Sequence, residues 1–364
     1  MIEAIKETRI CAQCGSCASV CPFTNIDGFH IRRLVRKLHL GLIDNNLLAI
    51  YPWLCSQCSS CHYFCPENID LPDVILKLKG EAIRRGLAPK SVYSIIDSIL
   101  KHGNPYQQPP EKRGIWIGRE YIAREKCKVA YWVGCTSSLR TRNIATATLK
   151  ILQASNMEFS VLDPALCCGE PLIKLGVINE AREIAGKILS IIEDRRIETI
   201  VTSCAGCYST FKHDYPNMLG IKLPVEILHT SQLIHKLVSE GVINPPETSK
   251  LKIAYHDPCN LKRLNLIDEP RKAIKTMKNV ELLEPLLSRD KSRCCGGGAA
   301  VPAISYEASI SVAYKRLSED IIPLNINTIA TSCPMCYIIF KTATLRYRIP
   351  INILDISEIF NVQV

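Results

Sequence analysis

Residues 199–211 read TIVTSCAGCYSTF, and residues 328–340 read TIATSCPMCYIIF. Eight of these thirteen positions are identical, and the likeness extends outward on both sides. Upstream, Cys167-Cys168-Gly169 matches Cys294-Cys295-Gly296, and Cys135 matches Cys259. Downstream, VEILHTSQLI (225–234) resembles INILDISEIF (351–360). An internal duplication follows, with halves expected at 126–248 and 249–364. KVAYWVG (128–134) and KIAYHD (252–257) are β-rich runs that lead to the first cysteine of each half, and FSVL (159–162) returns as a strand. TRNIATATLKILQAS (141–155) and INEAREIAGKILSIIEDR (178–195) space apolar residues three and four apart, as helices do. Strand, helix, strand, helix predicts an α/β fold with a parallel sheet in each half and functional loops at the carboxyl ends of the strands. Cys135, Cys204, Cys259 and Cys333 fall at such ends.

Ahead of the halves lies a different kind of sequence. Cys11, Cys14, Cys17 and Cys21 are followed by Cys55, Cys58, Cys61 and Cys65, and the next cysteine is Cys127. A small, mostly α-helical module is expected over 1–80. A linker is expected over 81–125, where GNPYQQPPEKRG (103–114) clusters Pro, Gly and charge. The 364 residues are long enough for such an arrangement, and 47% apolar against 22% charged residues fits a folded chain. Nineteen cysteines are too many, and odd in number, for a disulfide scaffold, so a reduced, metal-holding protein is expected. The first ten residues lack a signal-peptide core, and no run is long enough to span a membrane. The expected location is the cytoplasm, or the cytoplasmic face of a membrane as a peripheral protein. A formal charge of +10 with only 6% aromatic residues and no recognised motif argues against nucleic-acid binding.

The run Cys-x2-Cys-x2-Cys-x3-Cys-Pro occurs twice, at 11–22 and 55–66. Three thiolates at this spacing wrap three corners of an iron–sulfur cube, and in two-cluster ferredoxins the fourth cysteine serves the other cluster. Carried over, that pattern gives one cubane [4Fe–4S] cluster to Cys11, Cys14, Cys17 and Cys65, and another to Cys55, Cys58, Cys61 and Cys21. Zinc also takes paired thiolates, but it does not account for this pattern occurring twice. The basic stretch HIRRLVRKLHLGLI (30–43) between the two runs resembles the helical ferredoxin module of succinate dehydrogenase and its relatives.

Each half offers five thiols: Cys135, Cys167, Cys168, Cys204 and Cys207, then Cys259, Cys294, Cys295, Cys333 and Cys336. Five exceed the four ligands of tetrahedral zinc or a simple cube, and point to an irregular cluster. The spacing resembles the CCG cysteine-rich domain found twice in the catalytic subunit of heterodisulfide reductase. A helical ferredoxin module fused ahead of two such domains resembles the D-type form of that enzyme. The resemblance implies two noncubane [4Fe–4S] clusters in addition to the two cubanes, and a small disulfide substrate reduced between them. It also implies an electron-donor protein or subunit, such as a membrane cytochrome b. The same architecture recurs in electron-transfer subunits of membrane-linked dehydrogenase, sulfur-metabolism and hydrogenase complexes that serve a quinone-type carrier, which is the alternative reading.

Around these cysteines, Gly169, Gly296 and Gly297 are expected to let backbone N–H groups approach a cluster. His256 in YHDPC is a candidate hydrogen-bond or proton donor, against the plainer reading of a structural histidine. Cys127, outside every motif, is expected to pack as a small buried residue. Arg32, Arg33, Arg36 and Lys37 make a basic helix face, either solvated or a docking site for an acidic electron carrier or an anionic membrane surface. No G-x-G-x-x-G fingerprint follows a strand, so no flavin or nucleotide site is expected.

Overall fold

A computed structural model describes residues 6–118, 121, 127–162, 166–247 and 250–360. The two halves each contain a four-stranded, wholly parallel sheet. In the first, β1 (Val129–Trp132), β2 (Phe159–Val161), β3 (Thr199–Thr202) and β4 (Glu226–His229) lie in the order β2-β1-β3-β4. In the second, β5 (Leu251–Tyr255), β6 (Val280–Leu283), β7 (Thr328–Thr331) and β8 (Asn352–Asp355) repeat it as β6-β5-β7-β8. Val129 pairs with Phe159 on one side and Thr199 on the other, and Ile253 with Leu282 and Thr328. The α/β class and parallel sheets expected from the sequence are therefore present. Strand order was not legible, and it matters: the chain reverses direction across the sheet between β1 and β3, and between β5 and β7. At such switch points the loops part and leave a crevice.

The helices follow their apolar spacing. Ile178–Arg195 buries Ala181, Ala185, Ile188 and Ile192, and Arg142–Ala154 buries Ile144, Ala147, Ile151 and Leu152. Both sheets run from their last strand straight into a capped helix. The His229 ring accepts from Ser231 N in the first half, and the Asp355 carboxylate accepts from Ser357 N in the second.

Residues 6–102 are helical apart from their cysteine loops, with Ile31–His39, Leu71–Arg84 and Lys90–His102 the longest helices. Ile31, Leu34, Val35 and Leu38 face inward while Arg32, Arg33 and Arg36 face water. The stretch 81–125, expected as a linker, carries packed structure. Its helix Lys90–His102 buries Val92, Ile95 and Ile99, and Asn104 and Arg113 are buried after it. The Arg113 guanidinium donates to Gly103 O and Ser138 Oγ, which seats this segment against the start of the first half. On the other side, Leu71–Arg84 lies so close to the first half that a Cβ on Gly176 (φ +84°) would sit 2.8 Å from Gly80 N.

Candidate functional site

The N-terminal cysteines form two pockets. Cys11, Cys14, Cys17 and Cys65 line one, and Cys21, Cys55, Cys58 and Cys61 line a second. The crossed grouping of Cys65 and Cys21 is the one the ferredoxin pattern implied. Local backbone geometry turns the thiols inward. Gln13 and Gly15 flank Cys14 in left-handed conformations, and Gln57 and Ser59 flank Cys58 likewise. Such conformations are costly for residues other than glycine and persist where surrounding structure imposes them. Gln13 Nε2 lies 3.5 Å from Cys11 Sγ, Gln57 Nε2 lies 3.8 Å from Cys55 Sγ, and Ile69 N donates to Cys65 Sγ at 3.4 Å. Burial, and then the neighbouring thiols Cys55, Cys58, Cys21 and Cys17, push the Cys61 thiol well above its ordinary range. Burial followed by Cys11 and Cys14 lifts Cys17 to about 11. The pockets therefore adjoin, and their thiols can be thiolates together only with a cationic centre among them.

In each half, the sulfurs form a chain of contacts. Cys135 meets Cys167, Cys168 meets Cys167 and Cys207, and Cys207 meets Cys204. The second half repeats the order, from Cys259 to Cys294, Cys295, Cys336 and Cys333. All five cysteines of a set thus converge at the switch point of their sheet. Backbone N–H groups close over them as expected: Gly169 N donates to Cys167 Sγ at 3.4 Å, Gly296 N to Cys294 Sγ at 3.3 Å and Gly297 N to Cys295 Sγ at 3.4 Å. Cys168 is drawn down to about 7 by its hydrogen bonds from Cys167 and Cys207. The donor chemistry of both sets suits an iron–sulfur centre, which keeps several adjacent sulfurs ionised.

The two sets face each other. The Cys333 thiol feels the charge of Cys204, and a Cβ on Gly206 would lie 3.6 Å from Cys204 Sγ and 3.7 Å from Asn260 Nδ2. Asn143 Nδ2 donates to Tyr337 OH at 3.0 Å across the same boundary. The N-terminal pockets join this assembly at one point. The thiols of Cys58 and Cys294 lie close enough to act on each other's protonation, and Ser56 Oγ lies 3.5 Å from Cys294 Sγ. Gly298 makes this approach possible, because a Cβ there would fall 2.3 Å from Ser56 O. Arg263 reinforces it by donating to Gln57 O at 3.0 Å and Ser59 Oγ at 2.8 Å.

His256 is buried beside the second set, and one of its ring nitrogens lies within 4.8 Å of the sulfurs of Cys295 and Cys336. Burial pushes its pKa down, which favours the neutral ring. Cys127 is buried away from both sets, and its thiol donates to Val129 O and Glu158 O. Of the basic helix face, Arg32 lines the pocket of Cys11, Cys14 and Cys17, while Lys37 lies over the Tyr51 ring at 4.9 Å. Sequence reasoning missed several buried cations near the thiols. Lys79 donates to Cys55 O at 3.1 Å, Lys262 donates to Ser292 O at 3.0 Å and its charge acts on Cys58, and the Arg113 charge acts on Cys135. Lys79 left a signal, since it falls four residues after Ile75 on the apolar face of its helix.

Comparison with known proteins agrees with this arrangement. The family described as "Cysteine-rich domain" (CCG) matches residues 129–212 and 253–341, and the "4Fe-4S dicluster domain" matches residues 7–69. The chain is 26% identical to the D-type component of the dihydromethanophenazine:CoB--CoM heterodisulfide reductase of Methanosarcina barkeri, over 78% of this chain and 70% of that protein. It is also 26% identical to a component of the fumarate reductase (CoM/CoB) of Methanothermobacter marburgensis, over 98% of this chain and 72% of that protein. A probable iron–sulfur-binding oxidoreductase of Bacillus subtilis is 27% identical over 78% of this chain and 42% of its own length.

Proposed function

The chain belongs to the CCG cysteine-rich domain family, with a 4Fe–4S dicluster domain ahead of two CCG domains, and from that premise we propose that it is a disulfide-reducing iron–sulfur oxidoreductase. The units are 1–80, 126–248 and 249–364, with the packed stretch 81–125 between the first two. Cys11, Cys14, Cys17 and Cys65 hold an outer cubane, and Cys55, Cys58, Cys61 and Cys21 an inner one. Cys135, Cys167, Cys168, Cys204 and Cys207 hold one noncubane centre, and Cys259, Cys294, Cys295, Cys333 and Cys336 the other. When bound, these clusters supply one-electron steps, whereas a disulfide takes up two electrons and two protons as its S–S bond breaks into two thiols.

The observation that carries this reading is that the two halves meet beside their cysteine sets, where Asn143 Nδ2 donates to Tyr337 OH at 3.0 Å and Gly206 lies against both Cys204 and Asn260. Two sets on opposite sides of one S–S bond divide a two-electron reduction between them. The Cys58–Cys294 approach brings the second set next to the ferredoxin-like module, so that with clusters bound this set would be the one to receive its electrons. Among the described residues no helix is long and apolar enough to cross a membrane. In this reading the electron donor is a separate protein or subunit that docks at the N-terminal module. A membrane cytochrome b is one such donor, and it would place the chain in the cytoplasm or on the cytoplasmic face of a membrane.

The similarity over nearly the whole chain to a component of a fumarate reductase (CoM/CoB) supports a second reading. In it, the chain exchanges electrons with a partner that carries the substrate site or a quinone-type carrier. Dye-linked reduction of a small disulfide by anaerobically purified protein separates the two. Loss of that activity in both Cys168→Ala and Cys295→Ala supports a disulfide site between the sets. Full activity in either variant refutes it.

A further inference from the structure

The duplication aligns Lys128-Val-Ala-Tyr-Trp-Val-Gly-Cys135 with Lys252-Ile-Ala-Tyr-His-Asp-Pro-Cys259, so that Trp132 and His256 occupy one position of the two halves. Their surroundings correspond as well. The Trp132 ring stands edge-on to Phe211, with centroids 5.0 Å apart at 85°, and the His256 ring stands edge-on to Phe340 at 4.7 Å and 81°. Phe211 and Phe340 are themselves equivalent, each closing the repeated thirteen-residue stretch. Packing is thus conserved across the duplication, and what changes is that an indole, with only an N–H to offer, has become an imidazole with a lone pair.

That imidazole has no ordinary partner. His256 is 1% exposed and neither ring nitrogen has an oxygen or nitrogen partner; its polar neighbour is the Cys295 thiol, and buried polar groups rarely go without ordinary partners unless there is a reason. One ring nitrogen and the sulfurs of Cys295 and Cys336 all lie within 4.8 Å of one another, a spacing that a shared metal centre satisfies. The position is also held rigidly. Asp257 is clamped by Arg271 at 2.6 and 2.9 Å and accepts from Arg289 N at 2.8 Å.

We infer that the second cysteine set is a mixed thiolate–imidazole site, in which a nitrogen of His256 joins the five cysteines as a ligand, whereas the first set is ligated by thiolates alone. The inference rests on the proposed function in one respect, that these cysteines hold an iron–sulfur centre. It makes the two centres chemically unequal, since imidazole in place of a wholly thiolate shell is a recognised means of shifting the potential of an iron–sulfur centre.

Pulsed electron paramagnetic resonance on the anaerobically purified holoprotein tests it, with and without 15N-labelled histidine. The second-half signal, identified by its loss in Cys295→Ala, is expected to carry one strong histidine-nitrogen coupling that changes with the isotope. The first-half signal, lost in Cys168→Ala, is expected to carry none. His256→Phe, which keeps an aromatic ring against Phe340, should abolish the coupling and leave the first-half signal unchanged. A second-half signal without histidine-nitrogen coupling in the labelled wild type overturns the inference, as does a coupling that survives His256→Phe. Absence of any iron–sulfur signal from both sets overturns instead the reading on which it rests.

Discussion

The two halves share one sheet order, one sulfur chain and one place for an aromatic ring, yet they differ in what surrounds the sulfurs. The second half touches the N-terminal module through Cys58 and Cys294, with Ser56 and Gly298 in close approach and Arg263 tied to Gln57 and Ser59. The first half meets that module through helix packing at Gly80 and Gly176, and through Lys79, which donates to Lys174 O at 3.4 Å. Duplication thus preserved the donor sets and let their neighbours diverge. In the proposed reading one half is the point of electron entry, and the other a partner across the crevice.

The largest expected effect breaks the likeness between the sets. Loss of hydrogen-bonding partners outside a metal's ligands already costs 10–100-fold, so removing a ligand should cost at least about 100-fold. Cys168→Ala and Cys295→Ala should each lose dye-linked disulfide reduction by that margin, and retention of activity in one alone would mean that the two sets do not share the reaction.

Next in size is the charge that ties the halves together. Asp214 of the first half is fully buried, 3.1 Å from Lys174 Nζ and 3.5 Å from the Arg263 guanidinium of the second half. Burial alone would raise its pKa, but Lys174, His213 and Arg263 hold the carboxyl well below the usual carboxylate range. Its contribution to stability is therefore present above the unfolded value of 3.8 and lost as pH falls through the lower folded value. Asp214→Asn leaves buried cations without their partner and should destabilise the protein by about 3–5 kcal/mol, read as a lower urea midpoint at pH 7.

A smaller change separates the module from the second half alone. Gly298→Ala places a Cβ against Ser56 O and should cost about 1–3 kcal/mol through overpacking. It should also slow electron arrival at the second set while leaving reduction of the cubanes by an external dye intact. Equal slowing of both processes would contradict a contact-specific effect.

The last effects concern the equivalent caps, His229 and Asp355, and show only in their pH dependence. Burial lowers His229 to about 3. Its neutral form is bound in the fold, so stability is full above the unfolded value of 6.5 and falls as pH drops from there toward 3. Burial raises Asp355 to about 7. The fold then binds a proton that the unfolded chain releases, so this contribution declines as pH rises from 3.8 to 7. Asp355→Asn should raise the melting temperature above pH 7, and His229→Asn should reduce acid sensitivity between pH 3 and 6.5. Parallel pH profiles for the two variants would contradict the opposed signs.

What was legible in the sequence was what repeats. The duplicated stretch ending at Phe211 and Phe340 and the strand-end placement of Cys135 and Cys259 were readable, because each depends on short-range spacing, whereas the crossed grouping of Cys21 and Cys65 came from the resemblance to two-cluster ferredoxins. Lys79 was readable in principle, as a cation on an apolar helix face. Strand order was not, because parallel strands of similar composition carry no local mark of their neighbours. The Cys58–Cys294 contact was not either, since it joins residues far apart in the chain through the docking of two separately patterned modules. The stretch 103–114 reads as loose by composition, yet Asn104 and Arg113 are buried. Turn residues there satisfy one another, as when Asn104 Nδ2 donates to His102 O and Gln108 O.

The central claim is a route in which electrons reach the second cysteine set first and the first set after it. Freeze-quenched electron paramagnetic resonance during reduction of the oxidised holoprotein tests this directly, with each signal assigned by its loss in Cys295→Ala or Cys168→Ala. The second-half signal should appear before the first-half signal, and the cubane signals before both. Simultaneous appearance of the two, or a first-half signal that leads, would contradict the account.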